Sequence, residues 1–237
     1  MRVTGHHLNV CECVVPMHVQ LFAGHRMIVA LDVEGFGDRQ RTRQHQIIVR
    51  NGLYRALRAA FSAVGLAWED CYHEDRGDGL FLLLPADVPK KAVVAPLPRE
   101  FAAALREHNA VVAPQARIRV RLALHAGEIQ HDAFGVTGTA LTTAFRLLDA
   151  AAVRAALAAS PGVLAVVASD WLYDDVVRHE PAADPAAYRK VRVAVKELRT
   201  HAWVGRPDYP YRPEVSSTRA ARTSITCLAG KPRRRAS

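Results

Sequence analysis

The sequence predicts an α+β fold whose core follows the ferredoxin-like order β-α-β-β-α-β, with additional strands and helices towards the C-terminus. Three features carry this prediction: an apolar run followed by helical periodicity, a glycine-containing hairpin, and a later strand in which apolar and charged residues alternate. The fold is expected at 25–205, between an irregular extension at 1–24 and a basic tail at 206–237 that we expect to be disordered.

The first half of the core is predicted from two apolar runs and one amphipathic segment. Met27–Leu31 is continuously apolar, as in a strand buried on both faces. Apolar residues at helical spacing predict a helix over 44–64, and Gly65 suits the positive φ of a helix end. Residues 68–84 predict a hairpin that turns at Arg76-Gly77-Asp78-Gly79.

The second half completes the core and extends it. A helix is predicted at 97–108, and the alternation of Arg117, Arg119 and Arg121 with apolar residues predicts a strand with one wet face. A glycine-containing loop is expected at 127–138. The remaining elements are, in order, a helix at 139–157, a strand at 163–168, a short helix at 170–179 and a closing hairpin at 188–204.

Composition and charge exclude several classes of protein. The net charge is +9, but the segment from 206 onwards carries eight basic and two acidic residues, so the predicted fold is close to neutral. Contacts of the tail with nucleic acid would be non-specific and salt-sensitive. With no apolar run of about 18 residues and no secretory signal, we expect a cytoplasmic protein without a membrane span.

The cysteines do not predict a disulfide framework or a metal site. Cys11, Cys13, Cys71 and Cys227 lack a framework spacing, which favours reduced thiols. The cluster His6, His7, Cys11 and Cys13 contains metal-ligand types but has no second pair downstream, so zinc is not predicted.

Two acidic turns are the main candidates for chemistry. Asp32 follows the first strand, and Asp78 lies at the tip of the hairpin between the second and third strands. Because the first and third strands are neighbours in a ferredoxin-like sheet, these carboxylates should converge, as ligands for Mg²⁺ or Mn²⁺ do. Neighbouring glycines would let a phosphate approach the backbone. Spacing alone also allows turn carboxylates that bond their own backbone.

Four segments, in order, resemble the class III adenylate and guanylate cyclase catalytic domain, particularly bacterial stand-alone members. Leu31–Phe36 resembles the first metal motif of that family, and Arg76–Gly79 resembles the second. Gly138–Arg146 is similar to its dimer-interface helix, and Val195–Glu197 lies where the family has a lysine on its last hairpin. The resemblance covers about 27–204.

The resemblance implies a homodimeric enzyme that converts a nucleoside triphosphate into a 3′,5′-cyclic nucleotide and pyrophosphate. Asp32 and Asp78 would bind two Mg²⁺ or Mn²⁺ ions with help from the Val33 carbonyl. Gly35 and Phe36 would contact the substrate.

The resemblance also implies roles for three residues of the second half. Arg146 of the partner protomer would stabilise charge on the α-phosphate, and Lys196 would hold the terminal phosphates. Thr142 occupies the position of a ribose-orienting asparagine. Its shorter side chain lacks an amide donor, a loss that in such sites costs on the order of 2.7–4 kcal/mol.

The base-reading positions of the family correspond here to Glu74 and Gly135. A carboxylate accepts hydrogen bonds from guanine N1–H and N2–H₂ or from pyrimidine N–H groups, and it offers no donor to adenine. GTP or a pyrimidine triphosphate is therefore expected in preference to ATP.

Two other functions stay open at this stage. Thr142 favours a catalytically weakened cyclase homology domain that binds nucleotide or dimerises without turnover. Ferredoxin-like sheets also bind RNA through exposed aromatic residues, but Phe81 alone is aromatic on the central strands, so RNA binding is not favoured.

Overall fold

The structure, a computed structural model, describes residues 23–211. The predictions for most of the N-terminal extension, including its His/Cys cluster, and for most of the basic tail lie outside the described residues. The strands are β1 (Ala23–Val33), β2 (Tyr72–Asp75), β3 (Gly79–Leu83), β4 (Val120–Asp132), β5 (Gly135–Thr137), β6 (Leu164–Ser169), β7 (Arg189–Val195) and β8 (Leu198–Gly205). The helices are α1 (Arg43–Ala63), α2 (Lys90–Val94), α3 (Pro96–Val111), α4 (Thr139–Leu148), α5 (Ala151–Ala158) and α6 (Asp170–Asp175), with short 3₁₀ turns between them.

The elements form one mixed sheet in the order β2-β3-β1-β4-β6-β8-β7, with β5 paired to β4. β1 lies between β3 and β4 and is antiparallel to both, whereas β4 and β6 are parallel. The order β2-β3-β1-β4, with α1 and α3 as the intervening helices, is the ferredoxin-like arrangement. The predicted α+β fold class is confirmed.

Both faces of the sheet are covered, which explains the continuous apolar run of β1. Met27, Val29 and Leu31 pack with α1 and α3 on one face, while Ile28 and Ala30 pack with α4 and α5 on the other. All five residues are at most 3% exposed. A strand in this position loses all its contact with water, so alternation is absent from its sequence.

Three local predictions need correction. The segment 127–138 is a hairpin made by the end of β4 and by β5, where a loop was expected. Gly127 lies inside β4. The position requires glycine because a Cβ there would approach the Cβ of Ala140 on α4 to 2.6 Å. The helix predicted at 139–157 is two helices, since Ala150 between α4 and α5 has extended backbone angles of φ −63° and ψ 135°. Asp32 lies within β1 rather than after it.

The last described residues remain packed on the fold. The Asp208 carboxylate is 2% exposed and accepts a hydrogen bond from the Val163 N–H at 2.7 Å. Within 23–211, none of the helices combines the length and the apolar character needed to cross a bilayer.

Candidate functional site

The pairing of β1 with β3 brings Asp32 and Asp78 together. Asp32 is the register partner of Gly79, and the Val33 N–H donates to the Asp78 carbonyl oxygen at 2.9 Å. The next residue must be glycine, because a Cβ at position 79 would collide with the Leu31 carbonyl oxygen. The hairpin therefore lies directly against the strand that carries Asp32.

The two carboxylates open onto a common cavity, which we call the carboxylate cleft. Its volume is about 450 Å³. Its wall is formed by the end of β1, by the hairpin tip and by the last turn of α4: Leu31, Asp32, Arg76, Asp78, Phe145, Leu148 and Asp149. The convergence expected from the predicted topology is thus found in the structure.

Arg121 on β4 holds the Asp32 side chain, a contact that the sequence reasoning missed. Its Nε and Nη2 donate to Asp32 Oδ1 and Oδ2, both at 2.7 Å. The two side chains are only 16% and 15% exposed. The two residues are register partners on adjacent antiparallel strands, so the β1–β4 alignment is the signal that could have identified the pair.

Burial decides the charge state of Asp32. Desolvation raises the pKa of this carboxyl to about 6, against the lowering effect of the Arg121 charge and hydrogen bonds. The negative charges of Asp78 and Asp149 make smaller contributions to that increase. A divalent cation bound here would favour the ionised carboxylate, as the Arg121 guanidinium already does.

The hairpin tip that carries Asp78 is braced from α1. Arg50 donates through both terminal nitrogens to the Asp75 carboxylate, at 2.9 and 2.6 Å, and also to the Gly77 carbonyl oxygen at 2.6 Å. Tyr54 donates to the same carboxylate at 2.7 Å. These contacts tie the turn to α1, so the position of Asp78 is set by helix packing as well as by strand pairing.

The loop after β1 contains the predicted substrate contacts Gly35 and Phe36. Gly35 has a φ of +63° and accepts a hydrogen bond from the Asp38 N–H at 3.1 Å, which closes a turn. The Phe36 side chain is half-buried against the core, and its carbonyl oxygen accepts from Gln46 at 3.3 Å. Gly35 therefore presents backbone to solvent, whereas the Phe36 side chain is largely used in packing.

The structure brings the two predicted base-reading positions together. A Cβ at Gly135 would lie 3.0 Å from Glu74 Oε1. The Tyr72 hydroxyl donates to Oε1 of Glu74, and Arg76 Nη2 lies 3.2 Å from Oε2. Glu74 is thus held by two neighbours that the sequence reasoning did not assign to the site.

Arg146 and Lys196 lie near each other and apart from the cleft lining. Arg146, in the last turn of α4, pairs with Glu197 at 3.2 Å. Glu197 follows Lys196 in the two-residue turn between β7 and β8, where Lys196 has a φ of +49°. Thr142 is exposed one turn before Arg146 on the same helix face. None of these three residues lines the carboxylate cleft of its own chain.

The donor set of the cleft fits Mg²⁺ or Mn²⁺ bound together with phosphate. No group of three or more His, Cys, Asp and Glu side chains in the described part of the chain is arranged to hold a metal ion. Mg²⁺ commonly takes one or two protein carboxylates and completes its shell with substrate phosphates and water. Asp32 and Asp78 offer that set, so a cation here would depend on the nucleotide for its remaining ligands.

Comparison with solved structures identifies the fold as that of the class III adenylate/guanylate cyclase catalytic domain. The guanylyl cyclase Cya2 superposes with a TM-score of 0.56 at 16% identity, over 82% of this chain and 97% of that one. An adenylate/guanylate cyclase/hydrolase from Silicibacter pomeroyi gives 0.56 at 20% identity, over 79% and 99%. The catalytic core of a rhodopsin-guanylyl cyclase with converted specificity, in complex with ATPαS, gives 0.52 at 14% identity, over 81% and 99%.

These identities are low, and the likeness is one of fold. No protein-family model and no curated protein matches the chain at the level of sequence. The resemblance stated from four short motifs is therefore confirmed for the architecture. The function has to be argued from the site itself.

Proposed function

We propose that the chain is a nucleotidyl cyclase, forming a 3′,5′-cyclic nucleotide and pyrophosphate from a nucleoside triphosphate at a homodimer interface. The observation that carries the proposal is the convergence of Asp32 and Asp78 on one cleft. The cyclase fold around them supports it, since the solved neighbours are named as guanylyl and adenylyl cyclases.

The proposed site draws on residues of two protomers, and the carboxylate cleft supplies the metal ligands. Asp32 and Asp78, with the Val33 carbonyl, would hold two divalent cations, which would lower the pKa of the ribose 3′-hydroxyl and neutralise the triphosphate. The 3′-oxygen attacks the α-phosphorus in line, its proton passes to solvent, and pyrophosphate leaves.

The partner protomer supplies the opposing positive charges. Its Arg146 stabilises the charge that develops on the α-phosphate, and its Lys196 binds the terminal phosphates. The absence of both residues from the cleft lining of their own chain supports a contribution across a dimer interface. Their proximity through Glu197 lets them approach one substrate together.

Glu74 favours GTP or a pyrimidine triphosphate over ATP. Its carboxylate accepts hydrogen bonds from guanine N1–H and N2–H₂ or from pyrimidine N–H groups, and it has no donor for the acceptor nitrogen of adenine. Glu74→Lys should shift the preference towards ATP, and an unchanged order of substrates would remove Glu74 from the base site.

One observation favours a second function, a nucleotide-binding or regulatory dimerisation module without turnover. Thr142 stands one turn before Arg146 with a short side chain, where ribose orientation needs a longer donor. In that case metal-dependent nucleotide binding would persist while no cyclic product formed.

The deciding experiment is a turnover assay with Mn²⁺ and each of the four triphosphates. Purified protein should release a cyclic nucleotide and pyrophosphate from at least one of them. Asp32→Ala should abolish the product, while Asp87→Ala, an exposed acid elsewhere on the surface, should leave it unchanged. Product at equal rates from both variants would refute a role for Asp32 as a metal ligand.

A further inference from the structure

Arg76 is fixed in place by contacts on two sides. Its guanidinium carbon stands 5.1 Å from the centre of the Phe81 ring and 5.6 Å from that of Phe145. The two rings pack edge to face with their centres 5.8 Å apart, and the guanidinium contacts both of them. On its other side, Nη2 contacts Glu74 at 3.2 Å. A planar guanidinium that stacks on an aromatic ring is held in a defined orientation, which a lysine ammonium would not be.

Glu74 is likewise oriented and remains open to a ligand. The Tyr72 hydroxyl holds one of its oxygens, and Arg76 holds the other. Gly135 leaves free the space in which any other side chain would place a Cβ, 3.0 Å from Oε1. A carboxylate has about four acceptor sites and a guanidinium has five donors, so both groups keep free hydrogen-bonding capacity after contacting each other.

The pair therefore presents a donor directly beside an acceptor, at the wall of the carboxylate cleft. Arg76 lines that cleft together with Asp32 and Asp78, whereas Glu74 contacts Arg76 and is not itself part of the cleft lining. A nucleotide whose phosphates lay at the two aspartates would extend past Arg76 towards Glu74.

We propose that Arg76 is a second base-reading residue and that Arg76 and Glu74 together select guanine; this rests on the proposed function. Glu74 accepts from guanine N1–H and N2–H₂, and Arg76 donates to O6, which makes three contacts. In the same orientation adenine and cytosine present an amino group to Arg76 and a ring acceptor nitrogen to Glu74, so both contacts are mismatched. Uracil presents O4 to Arg76 and a single N–H group to Glu74. Guanine alone donates two hydrogen bonds to the Glu74 carboxylate.

The test compares GTP with 6-thioguanosine triphosphate, which keeps N1–H and the 2-amino group but carries sulfur, a weak acceptor, in place of O6. The wild-type protein should prefer GTP in kcat/KM by about tenfold or more, the value of one hydrogen bond to a charged donor. Arg76→Met should reduce that preference below about threefold while still turning over the analogue. Arg58→Met is the matched control, because Arg58 stacks on Trp68 at 5.2 Å outside the cleft lining. It should keep the wild-type preference.

Two results would overturn the assignment of Arg76. An unchanged preference in Arg76→Met would show that it does not read the base, and an equal loss with both substrates would show that it acts on the phosphates or on the fold.

Displacement of a fluorescent nucleotide in the presence of Mn²⁺ gives the same comparison without turnover. Guanine-selective binding that Arg76→Met weakens, in a protein that forms no cyclic product, would refute the enzyme and uphold the base reader. Binding without any base preference would refute the base reader.

Discussion

Metal binding at the carboxylate cleft should depend steeply on pH between 5 and 7. A metal ion binds the ionised carboxylate, so protons and cations compete for Asp32. Burial raises the pKa of Asp32 to about 6, although Arg121 opposes this shift. At that pKa about nine-tenths of the protein carries an ionised Asp32 at pH 7, and about one-tenth does at pH 5. The apparent dissociation constant for Mn²⁺ should therefore rise about tenfold over this interval.

The assay is water-proton relaxation enhancement by Mn²⁺ alone, because nucleotide phosphates titrate in the same range. The carboxyl carbon of Asp32, followed by NMR without metal, should titrate with a midpoint about 6. In Arg121→Gln this midpoint should move upwards, since the charge that lowers the pKa is gone. A dissociation constant that changes less than about twofold between pH 7 and pH 5 would refute the reasoning, because it would mean that Asp32 ionises near its ordinary pKa or does not bind the metal.

Three further perturbations follow from the same contacts. Gly79→Ala should destabilise the fold by about 1–3 kcal/mol in urea unfolding and abolish cyclic product, because its Cβ would push β3 from β1. Gly37→Ala has open space around it and should have neither effect. Equal effects of the two variants would contradict this reasoning. Thr142→Asn should raise kcat on the order of 100-fold by restoring an amide donor, and no change would argue against the alignment of α4. Burial and a smaller effect of His25 lower the pKa of His125 to about 4, so the unfolded state binds this proton first. The free energy of unfolding should fall by up to about 3 kcal/mol between pH 6.5 and pH 4, and His125→Asn should flatten that decline in urea titrations; an identical slope would assign the decline to other groups.

Much of the fold could be predicted from the sequence because its strongest patterns are physically unambiguous. A run of five apolar residues at Met27–Leu31 has to be buried on both faces, and the order of strands and helices leaves few ways to connect them. The predictions of individual elements were wrong where a residue type occurs in more than one kind of structure. Gly127 suggested a loop, but it lies in a strand. The residue is glycine because α4 packs too closely on β4 for a side chain. The alanine-rich segment 139–157 gives no local signal for the break at Ala150.

The candidate site was predictable to the extent that it depends on strand order. Asp32 and Asp78 converge because β1 and β3 are neighbours, which follows from the ferredoxin-like arrangement alone. The proximity of Glu74 and Gly135 came from the family resemblance, since they lie on different hairpins whose relative position no local pattern specifies. The sequence predicts Arg76 only as part of the hairpin turn and of the segment that resembles the second metal motif. Its stacking depends on the packing of α4 against the sheet.

The arginines that lead into β4 show most clearly where sequence reasoning ends. Their alternation predicted a wet face, but Arg119 donates to the carbonyl oxygens of Leu157, Ser160 and Gly162 near the end of α5, and Arg121 closes on Asp32. Alternation specifies the face of a strand and not the partner, which depends on the register between segments 89 residues apart. Any cation that binds Asp32 therefore has to compete with the Arg121 guanidinium, which already donates to both carboxylate oxygens.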